Sequence, residues 1–390
     1  MARRGDAVKF DTVQWHKLIS GERRGLIPGL QRALLAQASL PYSAAMTIRN
    51  KCYDWGIFKQ HRVSVPVVVV GNLTVGGTGK TPAVEYVARY FREQHRQVAI
   101  LSRGYGSSDG RNDEALVLET NLDDVPHLQG ADRIKWARTA IEELESDLLV
   151  LDDGYQHRRL ARDLDIVLVD ATAPWGLGWC LPRGLLRESR AGLKRAGAVL
   201  ITRGDQVSAE SLTRLMDDLR KMVPGRPLAV CRHAPQVLHN SDNEVNVEVL
   251  AGKKIAAFSG IGNPEGFLQT LRSLECLVVD HKSFPDHHAY QREDVDQLNH
   301  WAAGLPEDTW LVTTQKDWVK LRIDQLGGKP LWSLRISLEI MQGRSEFEAA
   351  LLNVIACVSR DRSTACRSPD VSSLPTSCKE AYDYATTGTV

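Results

Sequence analysis

The sequence predicts an α/β protein: a P-loop-type, doubly wound, mostly parallel sheet followed by a second, smaller α/β domain. Three observations predict it. The β-branched run Val67-Val68-Val69-Val70 ends in a glycine-rich loop that closes on Gly79-Lys80-Thr81. Short apolar runs then alternate with helix-period segments, the pattern of parallel strands joined by crossover helices. The alternation pauses near 225–250, at Pro224-Gly225 and the polar run 240–246, and then restarts.

Each element has its own warrant. Residues 62–70 read as a buried strand. Residues 80–95 read as its crossover helix, because Ala83, Val84, Tyr86, Val87 and Tyr90 recur at helical spacing. A second short strand spans 97–102. Residues 131–146 are helical in pattern, with Ile134, Ala137, Ala140, Ile141 and Leu144 on one face. The run 147–153 is a strand ending in Asp152-Asp153, and 165–170 and 198–202 are further strands. After a helix over 208–222 the second half supplies strands at 254–259, 276–280 and 310–314, with helices over 265–274 and 291–304. The expected division is an N-terminal helical segment 1–55, a P-loop domain 56–235, a smaller α/β domain 236–357 and a polar, disordered tail 358–390.

Bulk numbers narrow the class. A chain of 390 residues exceeds one typical core. Its net charge of +1 gives no global signal for nucleic acid. Seven scattered cysteines without a Cys-x-x-Cys suit a reducing compartment better than a disulfide framework or zinc site. No secretory signal is visible, and no feature calls for an obligate protein partner.

The first 50 residues differ from the rest. Eight Arg and Lys stand against three Asp and Glu, and an apolar stretch from Leu26 to Ile48 follows. The uncharged part is too short to span a bilayer, which takes about 20 apolar residues. A basic amphipathic helix on anionic lipid and a helix packed on the protein's own core are equally open readings.

The chemistry starts at the loop. Strand, Gly-rich loop and helix form the setting of a phosphate cradle, in which backbone N–H groups and the helix N-terminus hold anions. Thr74, Val75, Gly76, Gly77, Thr78, Gly79, Lys80 and Thr81 are its residues. Lys80 would reach the β/γ-phosphates and Thr81 would ligate Mg²⁺. Thr74 stands where the usual pattern has its first glycine. Leu148 to Asp153 has the form of a Walker B strand, with carboxylates at the carboxyl end of a buried run. Adjacent Asp residues on a strand cannot point the same way. Asp113 follows a glycine-containing loop after the second strand, where a solvated acid and a site residue are both open. His287 and His288 precede a helix and could act as base, metal ligand or idle surface. Thr314-Gln315-Lys316-Asp317 lacks the spacing of the guanine-reading Asn-Lys-x-Asp. The segment Trp175 to Glu188, aromatic and basic, suits an amphiphilic anion or a packed surface loop.

As an ordered set these motifs resemble the tetraacyldisaccharide 4′-kinase family. The set comprises Gly71 to Pro82, Ser102-Arg103-Gly104-Tyr105-Gly106, Asp113-Glu114, Asp152 to His157, Leu181-Pro182-Arg183-Gly184 with Leu186-Arg187-Glu188, Gly260 to Pro264, Phe284-Pro285-Asp286-His287 and Thr313 to Asp317. It covers roughly residues 40–340, and Thr74 is itself typical of the family. The resemblance implies an enzyme that moves the γ-phosphoryl of ATP, with Mg²⁺, to the 4′-hydroxyl of a tetraacylated disaccharide 1-phosphate. The product is lipid IV-A, in lipid A synthesis. The implied location is the cytoplasmic face of the bacterial inner membrane, on its anionic surface, held by an N-terminal amphipathic helix. The implied site has a catalytic Asp113–His287 pair, with Lys80, Asp152 and Asp153 as further catalytic residues. Thr81, Asp153 and Glu114 are the expected metal residues, and Asn72, Arg133, Gln156 and His157 the expected substrate residues. Closure of two domains would bring Asp113 to His287. The sequence departs at Ala115, commonly Pro, and at Gln315, commonly Glu. A soluble P-loop small-molecule kinase or a regulatory NTPase is the alternative.

Overall fold

A computed structural model of the chain describes residues 12–104, 113–241 and 243–363. Arg3, Arg4, Lys9, Tyr105, Gly106, Asn112 and the tail from 364 lie outside them.

Two helices open the described chain, α1 (Thr12–Ser20) and α2 (Leu26–Asp54). The first half then runs β1 (Val67–Asn72), α3 (Lys80–Glu93), β2 (Val98–Ser102), α4 (Asp113–Asn121), β3 (His127–Gln129), α5 (Arg133–Glu142), β4 (Leu148–Asp152), β5 (Leu164–Asp170), β6 (Ala198–Thr202) and α6 (Ala209–Met222). The second half runs β7 (Leu228–Asn240), β8 (Asn243–Asn246), β9 (Lys254–Ser259), α7 (Pro264–Ser273), β10 (Leu277–Ser283), α8 (Arg292–Ala303), β11 (Thr309–Thr314), α9 (Gln315–Leu321), β12 (Gln325–Leu326), β13 (Lys329–Gln342) and α10 (Arg344–Ser363).

All strands join one sheet in the order β10-β9-β11-β13-β7-β6-β5-β1-β4-β2-β3, with β8 and β12 hanging from β7 and β13. It is parallel except where β13 runs against β7 and at the β8 and β12 hairpins. The predicted mostly parallel α/β architecture is therefore present. The position expected to divide two domains, 235/236, lies inside β7. That strand pairs parallel with β6 through 228–230 and antiparallel with β13 further on. The apolar clusters still segregate. Three centre on the first half, the largest of them joined by β7, β13 and α10, and two centre on β9, β11 and the helices around them.

Several elements differ from the sequence reading. The strand expected over 62–70 starts at Val67, since Pro66 has no N–H to give a ladder. Asp113 opens a helix rather than sitting in a loop, where its charge suits the N-terminal dipole. β7 and β13 were not visible as strands, because Pro235 and scattered polar residues break their apolar runs. Their ladder shifts register between Arg335 and Ile336, opposite Pro235. α10 adds Phe347, Leu351 and Val354 to the core under α3.

Helix α4 holds the two halves together. Leu118 in its last turn and Leu122 just past its end join the core of α3 and β2, while Val117 joins the core of α9 and β11. Beside it, His127 is half-buried, with Nε2 2.8 Å from Ser102 Oγ. Burial pushes its pKa down from 6.5 to about 4. A histidine depressed in the folded state binds its proton more readily when unfolded. Its contribution is intact above about pH 6.5 and is lost as pH falls toward 4. Thermal melts from pH 7 to 4 should therefore show a shallower acid decline for His127→Gln than for the parent chain. Equal declines would remove His127 as a source of acid sensitivity.

Candidate active site

The phosphate loop is built from the sheet outward. Asn72, the last residue of β1, is fully buried and donates from Nδ2 to Thr78 Oγ1 (2.9 Å) and Thr74 Oγ1 (3.3 Å). Thr74 thus closes the loop with a side-chain bond at the position where other P-loops use glycine. Asn72, expected to touch substrate, braces the loop in this structure. Gly79 sits at φ +83, and a Cβ there would lie 2.4 Å from His233 Nε2 on β7. Both facts demand glycine. Burial lowers the His233 pKa to about 4, and Nε2 has no partner. Thr202 Oγ1 donates to the Thr78 carbonyl (3.0 Å) and Arg203 Nη2 to the Gly77 carbonyl (2.7 Å). Sequence reasoning missed these three braces. Thr202-Arg203-Gly204-Asp205 carried a signal, the strand-end Asn-Lys-x-Asp spacing that was sought only at 314–317.

The carboxylates of β4 divide their roles. Asp152 is buried, and its Oδ1 has no hydrogen-bond partner. Burial first, then the charge of Glu114, pushes its pKa up to about 7, against the pull of Lys80. Asp153 turns out at φ +52. Both its oxygens accept from Arg187 Nη1 at 2.8 Å, and Lys80 Nζ lies 3.8 Å from Oδ1. Burial opposes ionisation there, but Lys80 and Arg187 outweigh it and hold the pKa below the usual value. Arg187 belongs to the Leu186-Arg187-Glu188 motif of the resemblance, to which the sequence reading gave no individual role. Gln156 Nε2 donates to the Asn72 carbonyl and to Glu188, both at 3.0 Å. Gln156 therefore ties the 185–188 strap to the loop. Arg133 is buried near Asp152 and Asp153, with Nε unpartnered. His157 Nε2 is likewise unpartnered, and burial with nearby Arg133 lowers its pKa to about 4.

Asp113 and His287 are in contact although 174 positions separate them: Nδ1 lies 3.0 Å from Oδ2 and 3.1 Å from Oδ1. No closing motion is needed to form the pair, because α4 is docked against α9. Lys320 Nζ is 3.4 Å from Asp113 Oδ2, and Lys316 Nζ is 2.9 Å from Glu114 Oε1. Burial alone would raise the Asp113 pKa. The His287 hydrogen bond and the two lysines overcome it and hold the carboxyl far below the usual range. The same bond raises His287. His287 adopts φ +57, one of three residues around the site held in the left-handed region, with Asp153 and Arg203. Such strain persists only where surrounding contacts enforce it. His288, the other member of the pair, bonds Asp294 at the start of α8 and stacks on Phe284. It is committed to structure. Asp317 does likewise, accepting from Gly260 N, Thr314 Oγ1 and Tyr290 Oη.

Among the described residues no cluster of three or more His, Cys, Asp or Glu forms a ready metal cage. A magnesium site in a P-loop protein does not need one, because phosphates and waters complete its shell. The unpartnered buried oxygen of Asp152, near the loop that carries Thr81, fits such an ion. Asp153 and Glu114 already have cationic partners.

A phosphate loop braced at both ends, strand-end carboxylates beside it and an Asp–His pair whose neighbour Glu114 acts on Asp152 define a P-loop phosphotransferase architecture. Residues 31–356 match the family model described as tetraacyldisaccharide-1-P 4′-kinase. The tetraacyldisaccharide 4′-kinase of Anaeromyxobacter dehalogenans strain 2CP-C is 41% identical over 351 residues, covering 85% of this chain and 92% of its own length. That of Geobacter sulfurreducens is 36% identical over 360 residues, with 87% and 98% covered. A crystal structure of LpxK from Aquifex aeolicus in complex with ATP matches with TM-score 0.67 at 29% identity, covering 83% of this chain and 99% of that one. The chain belongs to the tetraacyldisaccharide-1-P 4′-kinase family.

The His233 contact makes a test of the loop. Gly79→Ala should abolish nucleotide binding by calorimetry, and His233→Ala added to it should restore only part, since the strain at φ +83 remains. Full binding by Gly79→Ala alone would contradict the described packing.

Proposed function

We propose that this protein is the ATP-dependent kinase that phosphorylates the 4′-hydroxyl of a tetraacyldisaccharide 1-phosphate, giving lipid IV-A. The observation that carries the reading is the Asp113–His287 contact, set beside Asp152, Asp153 and the phosphate loop. It supplies a proton acceptor at the place where a γ-phosphoryl group would meet a hydroxyl. Kinship with LpxK, solved with ATP, supports the donor, and the names of the relatives support the acceptor.

Phosphoryl transfer asks chiefly for positioning and neutralisation of charge. The loop N–H groups and Lys80 hold the β- and γ-phosphates. Asp152 and Thr81 would hold Mg²⁺, which when bound neutralises phosphate charge. The metal-side role expected of Asp153 thus passes to Asp152, and Asp153 orients Lys80 and Arg187 toward the phosphates. Asp113, ionised at any working pH, accepts a hydrogen bond from the 4′-hydroxyl and orients its oxygen toward phosphorus. As the O–P bond forms and the bond to the ADP oxygen breaks, the proton moves to the Asp113–His287 pair. A carboxylate with so low a pKa is a weak base, which suits a late proton transfer in a loose transition state. Arg133, with a free Nε, and His157 are placed to meet substrate charge.

The interfacial reading of the N-terminus gains support from α2. Its large apolar side chains face outward: Leu26 is 94% exposed, Leu30 64% and Leu34 57%, and Leu40 and Ile48 also face solvent. Its polar residues make the contacts to the body. Ser39 bonds the Cys180 carbonyl, Tyr42 the Arg187 carbonyl, and Asn50 the Glu188 carboxylate. Leu177 and Trp179 add exposed apolar surface in the loop beside Ser39. No described helix is long and apolar enough to cross a membrane. This is the arrangement of a helix lying in a lipid surface, here the inner membrane's cytoplasmic face, where ATP is available. The same strap that binds Asp153 through Arg187 is held by α2. The site would therefore sit at the lipid boundary, within reach of an acylated sugar.

Three measurements test these points. Incubation with γ-labelled ATP and the disaccharide lipid in mixed micelles should label the lipid, and failure would reject the reading. Asp113→Ala should lose about 10²–10⁴-fold in turnover, the usual worth of a general base, while still binding ATP. Leu30→Ser with Leu34→Ser should leave the melting temperature in place and reduce co-sedimentation with anionic vesicles. Unchanged sedimentation would sink the interfacial assignment.

A further inference from the structure

We propose that Asp286 is a positioning residue for the proton transfer: its carboxylate holds the Nε2–H of His287 and so leaves Nδ1 bare to take, from Asp113, the proton that departs from the 4′-hydroxyl. The inference rests on the kinase reading above and deepens it by assigning the proton's path beyond Asp113.

His287 stands between two carboxylates. Its Nδ1 lies 3.0 Å from Asp113 Oδ2, and its Nε2 lies 3.8 Å from Asp286 Oδ2. The Asp113 side chain is 8% exposed and that of Asp286 53%. The imidazole therefore joins an inner carboxylate to an outer one that faces water. A small rotation of Asp286, or one bridging water, closes the gap on Nε2. Catalytic hydrogen bonds are commonly long before substrate arrives and tighten in the complex.

The backbone is shaped to present both groups. His288 N donates to the Pro285 carbonyl at 3.1 Å and closes a turn over 285–288. His287 is the third residue of that turn and holds φ +57. Asp286 lies against the loop that follows β9, where a Cβ on Gly262 would come 2.9 Å from its Oδ2. Glycine at 262 thus leaves the space in which the carboxylate sits. The other charged groups around the ring have partners of their own. Lys320 pairs with Asp113 and Asp317, Glu114 with Lys316, and His288 with Asp294. Among the described residues no other carboxylate pairs with Nε2 of His287.

The chemistry asks for such a group. Asp113 is held too far below the usual carboxylate range to keep a proton. His287 can keep it: the Asp113 hydrogen bond raises its pKa, and the charges of Asp113 and Asp286 add to that, against burial and Lys316. A neutral imidazole carries its one proton on either nitrogen. Asp113 favours Nδ1–H, the tautomer that cannot take a proton from it. A carboxylate at Nε2 favours Nε2–H, the tautomer that can. As the O–P bond forms and the ADP oxygen leaves with its electron pair, the hydroxyl proton passes to Asp113 and on to Nδ1. His287 is then an imidazolium between two carboxylates. It returns one proton to water, and Asp286 biases the ring back to Nε2–H. A third group that sets the tautomer of a histidine and stabilises its cation is the logic of acyl-transfer triads as well.

The test uses the full chain and its variants Asp286→Asn, Asp286→Ala, Asp286→Glu and Gly262→Ala, with melting temperatures to verify folding. Transfer from ATP to the disaccharide lipid is followed across the pH range in which histidine titrates. The His287 ring is titrated by NMR with isotope-labelled histidine, its signal assigned by its loss in His287→Gln. Asp286→Asn and Asp286→Ala should lower kcat about three- to tenfold, short of the loss on removing the base itself, with KM for both substrates unchanged. They should also move the His287 midpoint down by about half a pH unit, the reach of an exposed ion pair. The acid limb of kcat/KM should move down with it, because a less stabilised imidazolium gives up its proton at lower pH. Asp286→Glu should recover part of kcat, and Gly262→Ala, which displaces the carboxylate, should lose part. A His287 midpoint that Asp286→Ala leaves in place, a kcat that it leaves unchanged, or a loss carried by KM alone would each overturn the assignment. The ring titration needs no substrate. If the parent transfers no label, it is the kinase reading that fails, and the midpoint still decides whether Asp286 acts on His287.

Discussion

The site depends on one short helix wedged between two cores. α4 carries Asp113 and Glu114 at its first turn, and its apolar residues pack in both directions. At its far end a chain of buried polar groups fixes it in register. Glu85 of α3 accepts from Asn121 Nδ2 at 2.8 Å, and Asn121 Oδ1 accepts from Gln315 Nε2 at 2.6 Å. Arg89 and Arg335 balance the Glu85 charge. Every polar member has a partner, the condition under which a buried network stabilises one arrangement instead of destabilising it. Because α3 begins at Lys80 and α9 carries Lys316 and Lys320, this network sets the distance between the phosphate loop and the base.

The network also gives a physical reading of one departure from the family pattern. The motif commonly written Thr-Glu-Lys-Asp has Gln315 here. A carboxylate at 315 would place a second negative charge on the far side of Asn121 from Glu85, in a buried setting. The amide avoids this and still donates to Asn121. The lysine and aspartate that follow keep separate work: Lys316 pairs with Glu114, and Asp317 holds Gly260 and Tyr290.

Much of this was legible in the sequence, and what was not has identifiable causes. The phosphate loop, the β4 carboxylates and the alternating strands declare themselves locally, through apolar runs and turn residues at fixed spacing. Asp113 and His287 were named as a pair only through the family resemblance, since no local pattern links positions 174 apart. The strand partners β7 and β13 were invisible because each is half exposed and broken by polar residues or Pro235, and their stability comes from pairing with each other. Lys320 and His233, and the individual role of Arg187, were missed for a related reason. A charged or aromatic residue acquires its role from what the fold sets beside it, and spacing along the chain does not record that.

The direction of α2 follows the same logic at larger scale. Its composition left two readings open, because an amphipathic pattern states that one face is apolar without saying what covers it. The contacts decide what covers its polar side: Ser39, Tyr42, Arg49 and Asn50 all bond the segments 156 or 180–188. The helix is thus fastened to the protein by its hydrophilic groups, the reverse of what a core helix does. On the interfacial reading proposed above, that inversion would tie membrane and catalysis into one element. Tyr42 and Asn50 grip Arg187 and Glu188, and Arg187 in turn grips Asp153 beside Lys80. A lipid surface that held α2 would, on that reading, also fix the cationic wall of the phosphate site through two hydrogen bonds and one ion pair.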